Sequence, residues 1–331
     1  MGRIDQLATR TSPGNPTRIP PADPADRLQH DPGQVVQCDL WFPPASIPLG
    51  GDQSGAPPVL VMVAAFSRFI TATMLPSRVT TDLVAGMWQL LSQDLRAIPH
   101  RLWWDNESGI GRRGRLTEPV TAFVGTVATT LIQLKPYDPE SKGIVERANQ
   151  FLETSFMPGR TFRSSDDFNT QLADWLPIAN SRVVRRIGGR PIDLVSVDTA
   201  AMLSLPPVPP QTAAYSQIRL PRDYYVRVHG NDYSVDPWAI GHLVEVAADL
   251  RQVAVTREGR VIAEHERRWS RGLTVTDPLH VKSAARLREK FQQPMPVAAG
   301  EDRLMRDLGD YDRAFGVEFP CTASCKDDWV Q

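Results

Sequence analysis

The order of secondary-structure signals in the first half of the chain limits the possible folds more than any other feature. Gln34 to Phe42 alternates its side chains with a period of two, which predicts a strand. Two further strand signals, Val59 to Phe66 and Phe69 to Pro76, follow as a hairpin. The pattern then changes to helix, strand, helix, strand and helix. A hairpin followed by alternating helices and strands predicts an α/β layer fold whose sheet is partly antiparallel and partly parallel.

The later elements follow from apolar spacing and from capping residues. Leucine, valine and methionine recur at helical spacing from Thr80 to Leu95. The short apolar strand Arg101 to Asn106 comes next, and after it a helix from Thr117 to Thr130 with a proline in its first turn. Leu131 to Pro136 predicts another strand, and Ser141 to Phe156 predicts an amphipathic helix.

The chain divides into five segments by composition and pattern. The first is rich in proline and polar residues, the second carries the α/β pattern, the third is proline-rich, the fourth contains short alternating strands, and the last is weakly helical. These segments are a flexible tail or linker at 1–33, an α/β domain at 34–191, a linker at 192–217, a small β-barrel at 218–270 and a tail at 271–331.

Composition describes an ordinary globular protein. Of the 331 residues, 41% are hydrophobic and 23% are charged, and no apolar run is long enough to cross a bilayer. We find no secretory signal pattern, so we expect a cytoplasmic, nucleoid-associated protein without a membrane partner. The net charge of −1 does not by itself indicate a nucleic-acid partner.

Arginine accounts for 32 of the 37 basic residues, and several arginines cluster without intervening acids. Arginine suits bidentate contacts with phosphate, although each cluster taken alone is more typical of a solvated surface. The clusters are Arg112, Arg113 and Arg115; Arg182, Arg185, Arg186 and Arg190; and Arg267, Arg268 and Arg271.

Three acidic residues fall at positions where they could act together. Asp39 lies on the first predicted strand, Asp105 at the end of the fourth, and Glu146 on the later helix. Each alone is more typical of a turn, a cap or a solvated charge. Three converging carboxylates, however, could hold two Mg²⁺ ions about 4 Å apart, because Mg²⁺ prefers oxygen ligands. Such a site supports in-line attack on a phosphodiester by water or by a DNA 3′-hydroxyl.

Polar and basic residues accompany these acids. Lys142 lies one turn before Glu146 and Arg147 directly follows it, so both are placed to contact DNA phosphates. We assign the same role to Asn106, which follows Asp105, and to three arginines of the second cluster, Arg182, Arg185 and Arg186.

Four motifs resemble the catalytic core of IstA-like insertion-sequence transposases, which are bacterial DDE enzymes. They are QCDLWFP, SRFITATMLP, WWDNESGIG and PYDPESKGIVERANQFLETSFMPGR. The resemblance covers about 34–191 and implies a ribonuclease-H-like mixed sheet flanked by helices, with the acidic triad on Asp39, Asp105 and Glu146. It further implies two Mg²⁺ ions, which Mn²⁺ can replace, an AAA+ helper ATPase as partner, and a homo-oligomer assembled on DNA. The β-rich segment resembles the small barrel that follows the core in these enzymes and in phage Mu transposase.

We therefore expect a metal-dependent transposase that cleaves DNA at the ends of its element and joins the freed 3′-hydroxyl to target DNA. Two alternatives stay open: a ribonuclease-H-like nuclease that only cleaves, and a non-catalytic DNA-binding or assembly remnant of a transposase. The barrel is as compatible with stability or oligomerisation as with DNA contact. Members of the family usually begin with helix-turn-helix domains, and the 33 residues before the first predicted strand show no such pattern.

Overall fold

The computed structural model describes residues 29–134 and 139–292, and for residues 139–142 it describes the backbone alone. The predicted tail before residue 29 and most of the predicted C-terminal segment therefore lie outside the described residues. The strands of the α/β domain are β1 (Val35–Trp41), β2 (Ile47–Gly50), β3 (Gln53–Gly55), β4 (Val59–Ala64), β5 (Ile70–Met74), β6 (Arg101–Trp104), β7 (Gly111–Arg112), β8 (Arg115–Leu116) and β9 (Thr130–Gln133). Its helices are α1 (Thr80–Gln89), α2 (Glu118–Val127), α3 (Pro139–Phe151), α4 (Ser165–Asn180) and α5 (Pro191–Ala201).

The central sheet has five strands in the order β5-β4-β1-β6-β9. β5, β4 and β1 are antiparallel neighbours, whereas β1, β6 and β9 run parallel to one another. This mixed sheet with its flanking helices confirms the expected ribonuclease-H-like α/β fold.

Helices cover both faces of the sheet. Every residue of β4 is buried, because a strand enclosed on both faces packs apolar side chains in both directions. One core joins the sheet to α1 and α2, through residues such as Leu83 and Phe123. A second core joins the opposite face to α3 and α4, through residues such as Leu152 and Phe168. The two helices α1 and α3 each continue into a short π-helical segment, Leu90–Leu95 and Leu152–Phe156.

The outer edge of the sheet at β5 is covered by two asparagines of α4. Asn180 Oδ1 accepts from the N–H of Ile70 at 2.8 Å, and its Nδ2 donates to the carbonyl of Ile70 at 2.8 Å. Asn169 makes the same pair of bonds with Met74, at 2.7 and 3.1 Å. An edge strand otherwise presents unpaired backbone groups, so these amides replace part of a missing neighbouring strand.

The C-terminal part is β-rich, as expected. Its two sheets have the orders β10-β13-β14-β15 and β11-β12-β16, and they share one apolar core in which Tyr233 is fully buried. Tyr233 therefore fills the interior of this domain, whereas Trp238 is half exposed beside the ammonium group of Lys290. The elements are β10 (Ala214–Arg219), β11 (Tyr225–Val228), β12 (Asn231–Ser234), β13 (Leu243–Ala248), β14 (Gln252–Arg257), β15 (Arg260–Glu266), β16 (Thr274–Val275) and α6 (Pro278–Gln292).

A buried ion pair joins the two parts of the molecule. Arg267, directly after β15, donates from Nη1 and Nη2 to the two carboxylate oxygens of Asp82 in α1, at 2.7 and 2.9 Å. Both side chains are 3% exposed. Gln53 of β3 exchanges two further hydrogen bonds with the backbone of Arg271. The predicted solvated surface for the third arginine cluster is therefore wrong at Arg267, because its charge is matched by a distant acid that sequence spacing does not reveal.

Three segments contain more regular structure than the sequence indicated. The segment 192–217 begins in a helix, α5, and ends in β10, and the final segment contains α6. The loop between the first two predicted strands carries the hairpin β2–β3. The exposed and buried residues of α5 follow no clear apolar stripe, which explains why periodicity did not reveal a helix that Pro191 begins. The proposed domain limits themselves stay a prediction.

Candidate active site

Asp39 in β1 and Asp105 directly after β6 lie beside each other, because β1 and β6 are parallel neighbours. The register of the two strands pairs Cys38 with Trp104, and each aspartate is the next residue along the chain. Adjacent strands are about 4.8 Å apart, so the two aspartates stand side by side at the same edge of the sheet. Both are partly buried. Ligands of open α/β sheets bind at this carboxyl end of parallel strands.

Hydrogen bonds fix α3 against β1 on both sides of Glu146. The backbone N–H of Val145 donates to Oε1 of the buried Gln37 at 3.2 Å, and Nδ2 of Asn149 donates to Oδ2 of Asp39 at 2.9 Å. Residues three apart lie on the same side of a helix, so Asn149 and Glu146 share the side of α3 that meets β1 near Asp39. The Glu146 side chain is exposed.

Asp39 is held in place as an acceptor. Its Oδ1 accepts from the N–H of Leu40 at 2.9 Å, while Oδ2 accepts from Asn149. The neighbouring thiol of Cys38 is buried, and burial together with the charge of Asp39 raises the pKa of that thiol well above its ordinary value. Cys38 therefore stays protonated and unreactive beside the site.

The loop after Asp105 is tightly packed. Glu107 N–H donates to the Asp105 carbonyl at 2.7 Å, and Thr80 Oγ1 at the start of α1 donates to the Gly109 carbonyl at 2.7 Å. A Cβ on Gly109 would lie 2.6 Å from the carbonyl oxygen of Arg78, so only glycine fits there without a shift. The sheet edge and α1 together therefore hold the chain on both sides of Asp105.

The structure brings Asp39 and Asp105 together and places the helix of Glu146 beside them. In the part of the chain that the structure describes, no group of three or more His, Cys, Asp or Glu side chains is arranged to hold a metal ion. The donor set nevertheless suits Mg²⁺, because carboxylate oxygens are the ligands this ion prefers and Asp39 and Asp105 place two carboxylates side by side. The triad itself remains a prediction.

The four arginines predicted to contact phosphate differ in exposure. Arg147, Arg185 and Arg186 are exposed, the latter two in the loop between α4 and α5. Arg182 is half-buried: its guanidinium lies 4.0 Å from the ring centroid of Phe151 and donates to the Ala179 carbonyl at 2.6 Å. Burial lowers the pKa of Arg182.

The other two predicted contacts differ from these arginines. Nδ2 of Asn106 donates to the carbonyl of Leu134 after β9 at 3.0 Å, so this side chain braces the sheet edge. The side chain of Lys142 lies outside the described residues.

Sequence reasoning missed Gln37 and Asn149 as the residues that position α3. Their signals were present: Gln37 shares a strand face with Asp39 at a spacing of two, and Asn149 shares a helix side with Glu146 at a spacing of three. The sequence does not reveal their partners, because Gln37 bonds Val145 and Asn149 bonds Asp39, each more than 100 residues away.

Comparison with known proteins gives one family model and several relatives. The model for "Mu transposase, C-terminal domain" matches residues 205–277, which is the β-rich part. The protein named "Putative transposase y4bL/y4kJ/y4tB" of Sinorhizobium fredii is 27% identical over 305 residues, covering 86% of this chain and 58% of the relative. A similarly named protein for insertion sequence IS408 of Burkholderia multivorans is 24% identical over 272 residues, covering 78% of this chain and 52% of the relative. The chain thus spans between half and three fifths of the length of these relatives.

A solved structure, the crystal structure of the catalytic core domain of BIV integrase, matches with a TM-score of 0.38 and 17% identity, covering 50% of this chain and 94% of that chain. None of the helices in residues 29–134 and 139–292 is both long and apolar enough to cross a membrane. The resemblance to insertion-sequence transposases that the four motifs indicated is confirmed by the relatives and by the Mu-type C-terminal match.

Proposed function

We propose that this chain carries the catalytic core of a DNA transposase, which cleaves a phosphodiester at the end of its element and transfers the freed 3′-hydroxyl to target DNA. The observation that carries the proposal is the parallel register that sets Asp39 beside Asp105, with α3 bonded to β1 on either side of Glu146. The transposase relatives support the same reaction class.

Asp39, Asp105 and Glu146 are the residues that would hold the divalent ions, Mg²⁺ or Mn²⁺. Bound there, these ions would lower the pKa of an attacking hydroxyl and stabilise charge on the leaving oxygen. The aspartates sit on rigid strands, while the glutamate has a longer side chain on a helix. Asn149 acts as a positioning residue, because its amide holds the Asp39 carboxylate through Oδ2.

The reaction proceeds in two balanced steps. In the first, a water oxygen attacks phosphorus and gives up a proton to solvent, the bond between phosphorus and the 3′-oxygen breaks, and the 3′-oxygen takes up a proton from solvent to leave as a hydroxyl. In the second, that 3′-hydroxyl attacks a target phosphorus and loses its proton to solvent, while the bond from phosphorus to the target strand's own 3′-oxygen breaks and this oxygen takes up a proton to leave as a hydroxyl. Arg147, Arg185 and Arg186 would bind backbone phosphates flanking the reacting one.

Strand transfer is the experiment that tests this function. The assay uses duplexes carrying the element ends and a supercoiled plasmid target, with Mg²⁺, with and without the helper ATPase. Asp39→Asn, Asp105→Asn and Glu146→Gln should each lower joining more than about 100-fold, because removing one electrostatic contact to the transition state typically costs that much. Glu153→Gln is the matched control, since Glu153 is exposed one residue past the start of the π-helical segment that follows α3.

The outcomes separate the alternatives. Cleavage without joining would indicate a nuclease, and DNA binding with neither reaction would indicate a non-catalytic remnant. Joining by Glu146→Gln at the level of Glu153→Gln would exclude Glu146 from the triad. Sedimentation of the wild-type chain with and without the end duplexes would test the proposed homo-oligomer on DNA.

A further inference from the structure

The turn between β4 and β5 is bonded to the two helices that flank the arginine-rich loop 181–190, namely α4 and α5. Asn180, the last residue of α4, pairs with both backbone groups of Ile70 just after the turn. Asp198 of α5 accepts from the N–H of Ser67 within the turn at 2.9 Å. Both side chains are 1% exposed. The loop 181–190 is therefore held beside the turn that contains Arg68.

Arg68 occupies this turn in a conformation that few residues adopt. Its φ is 62°, in the left-handed region, and its N–H donates to the Ala64 carbonyl at 2.9 Å. Arg68 as a whole is partly buried, and its Nη1 atom is buried without a hydrogen-bond partner among the described residues. Within those residues no carboxylate lies in ion-pair distance of it. A strained turn thus presents a cation that the protein does not neutralise.

Like charges surround Arg68. Burial, and then the positive charges of Arg186 and Arg147, lower the pKa of Arg68 to about 10. The opposing acid is Asp198, whose two oxygens already accept backbone N–H bonds from Gly33 at 2.6 Å and from Ser67. On the adjoining segment, burial, Arg68 and Arg186 lower the pKa of His30, against the smaller opposing effects of Asp198 and Asp31. Positive charge exceeds negative charge at this place.

Three arginines close to a single carboxylate that is already hydrogen-bonded repel one another unless an anion binds between them. A phosphate suits this place, because its oxygens match the geometry of the guanidinium group. We infer that Arg68, together with Arg147 and Arg186, forms a binding site for a backbone phosphate of DNA, separate from the carboxylate edge. The inference rests on the proposed function for the identity of the anion, and Arg68 is the member that sequence analysis did not identify.

The turn that contains Arg68 contacts β1 upstream of Asp39. Ala65, three residues before Arg68, donates its N–H to the carbonyl of Val35 at 2.9 Å. Val35 precedes Asp39 by four residues on β1, which is about 13 Å along the strand. This distance corresponds to on the order of four base-pair steps of B-DNA. Arg68 thus binds the DNA backbone away from the reacting phosphate, so its loss affects binding and spares the chemical step.

The test measures binding of the full chain to a 40-base-pair duplex of mixed sequence by fluorescence anisotropy, in EDTA, from 50 to 200 mM salt. Each phosphate contact adds about 0.9 to the slope of log affinity against log salt. Arg68→Ala should therefore make the slope less steep by about 0.9. Between 50 and 200 mM salt, the fold-loss of affinity of this variant should be about 3.5 times smaller than that of wild type. Arg68→Lys should keep most of the slope, because it keeps the charge.

Arg96→Ala is the matched control, since Arg96 also has a left-handed φ of 55°, is exposed and loses the same charge. Its slope should equal that of wild type. Thermal unfolding is measured in parallel: Arg68→Ala should unfold at or above the wild-type temperature, because it removes repulsion. A lower unfolding temperature with an unchanged slope would overturn the inference in favour of a structural role, and the strand-transfer assay would still decide the proposed function.

Discussion

Arg267 and Arg68 hold the same charged group in opposite surroundings. At the junction of the two parts of the molecule, Arg267 meets Asp82 in a bidentate pair and donates once more to the Asp249 carbonyl at 2.7 Å. At the β4–β5 turn, Arg68 lies near Arg147 and Arg186, and the one opposing acid, Asp198, already accepts two backbone N–H bonds. The first arrangement closes an interface, and the second leaves charge available for a ligand. A structural arginine therefore differs from a ligand-binding arginine by having a carboxylate partner within the protein, and exposure alone does not distinguish the two.

The junction gives the largest expected change in stability. Arg267→Ala leaves Asp82 buried without its cation, so the free energy of unfolding should fall by about 3 to 5 kcal/mol. Arg268→Ala is the control, because Arg268 pairs with Glu266 on the surface and such pairs contribute about 1 kcal/mol or less. Urea unfolding measures both. If Arg267→Ala and Arg268→Ala lost the same free energy of unfolding, the buried pair would contribute no more to stability than the surface pair.

The covered sheet edge gives a smaller expected change. Asn180→Ala removes the partners of the buried N–H and carbonyl of Ile70, which should cost about 1 to 3 kcal/mol. Thr170→Ala on the exposed side of α4 should change stability by about 0.5 kcal/mol or less. Because Asn180 also anchors the arginine loop, the slope of DNA binding against salt should fall in Asn180→Ala and stay unchanged in Thr170→Ala.

The smallest expected changes are those for Arg182 and Arg185, two neighbouring arginines for which we expect opposite effects on stability and on DNA binding. Arg182→Ala removes a cation–π contact with Phe151 and should lower the free energy of unfolding by about 1 kcal/mol, without altering the salt slope. Arg185→Ala should show the reverse, with unchanged stability and a slope lower by about 0.9. Unfolding and anisotropy on the same two proteins check this. A lower slope for Arg182→Ala would restore it to the phosphate contacts.

Local patterns predicted the elements that are defined by their own side chains. The period of two located β1, and in the β-rich part the apolar alternation matched β13 and β14 residue for residue. α5 escaped because its apolar residues form no stripe, and β7–β8 escaped because two residues per strand are too few to show a period. Periodicity therefore succeeds where apolar and polar residues alternate regularly, and it fails where an element is short or where its apolar residues form no stripe.

Contacts between distant residues could not be predicted in the same way. The strand predicted to carry Asp39 and the helix predicted to carry Glu146 are present, but the bond of Asn149 to Asp39 joins residues 110 apart. The solvated surface expected for the third arginine cluster fails at Arg267 for the same reason, since its partner lies 185 residues away. Which arginine is paired depends on how the elements pack, and no local spacing encodes that.

The asparagine pair on β5 also affects how the protein behaves in a crowded solution. An open strand edge is a template on which another chain can add a strand, and such addition leads to aggregation. Asn169 and Asn180 occupy the backbone groups at both ends of β5, so an incoming strand would have to displace side-chain amides that are already bonded. Because that displacement costs free energy, α4 disfavours the addition of a strand from another copy of the chain to β5.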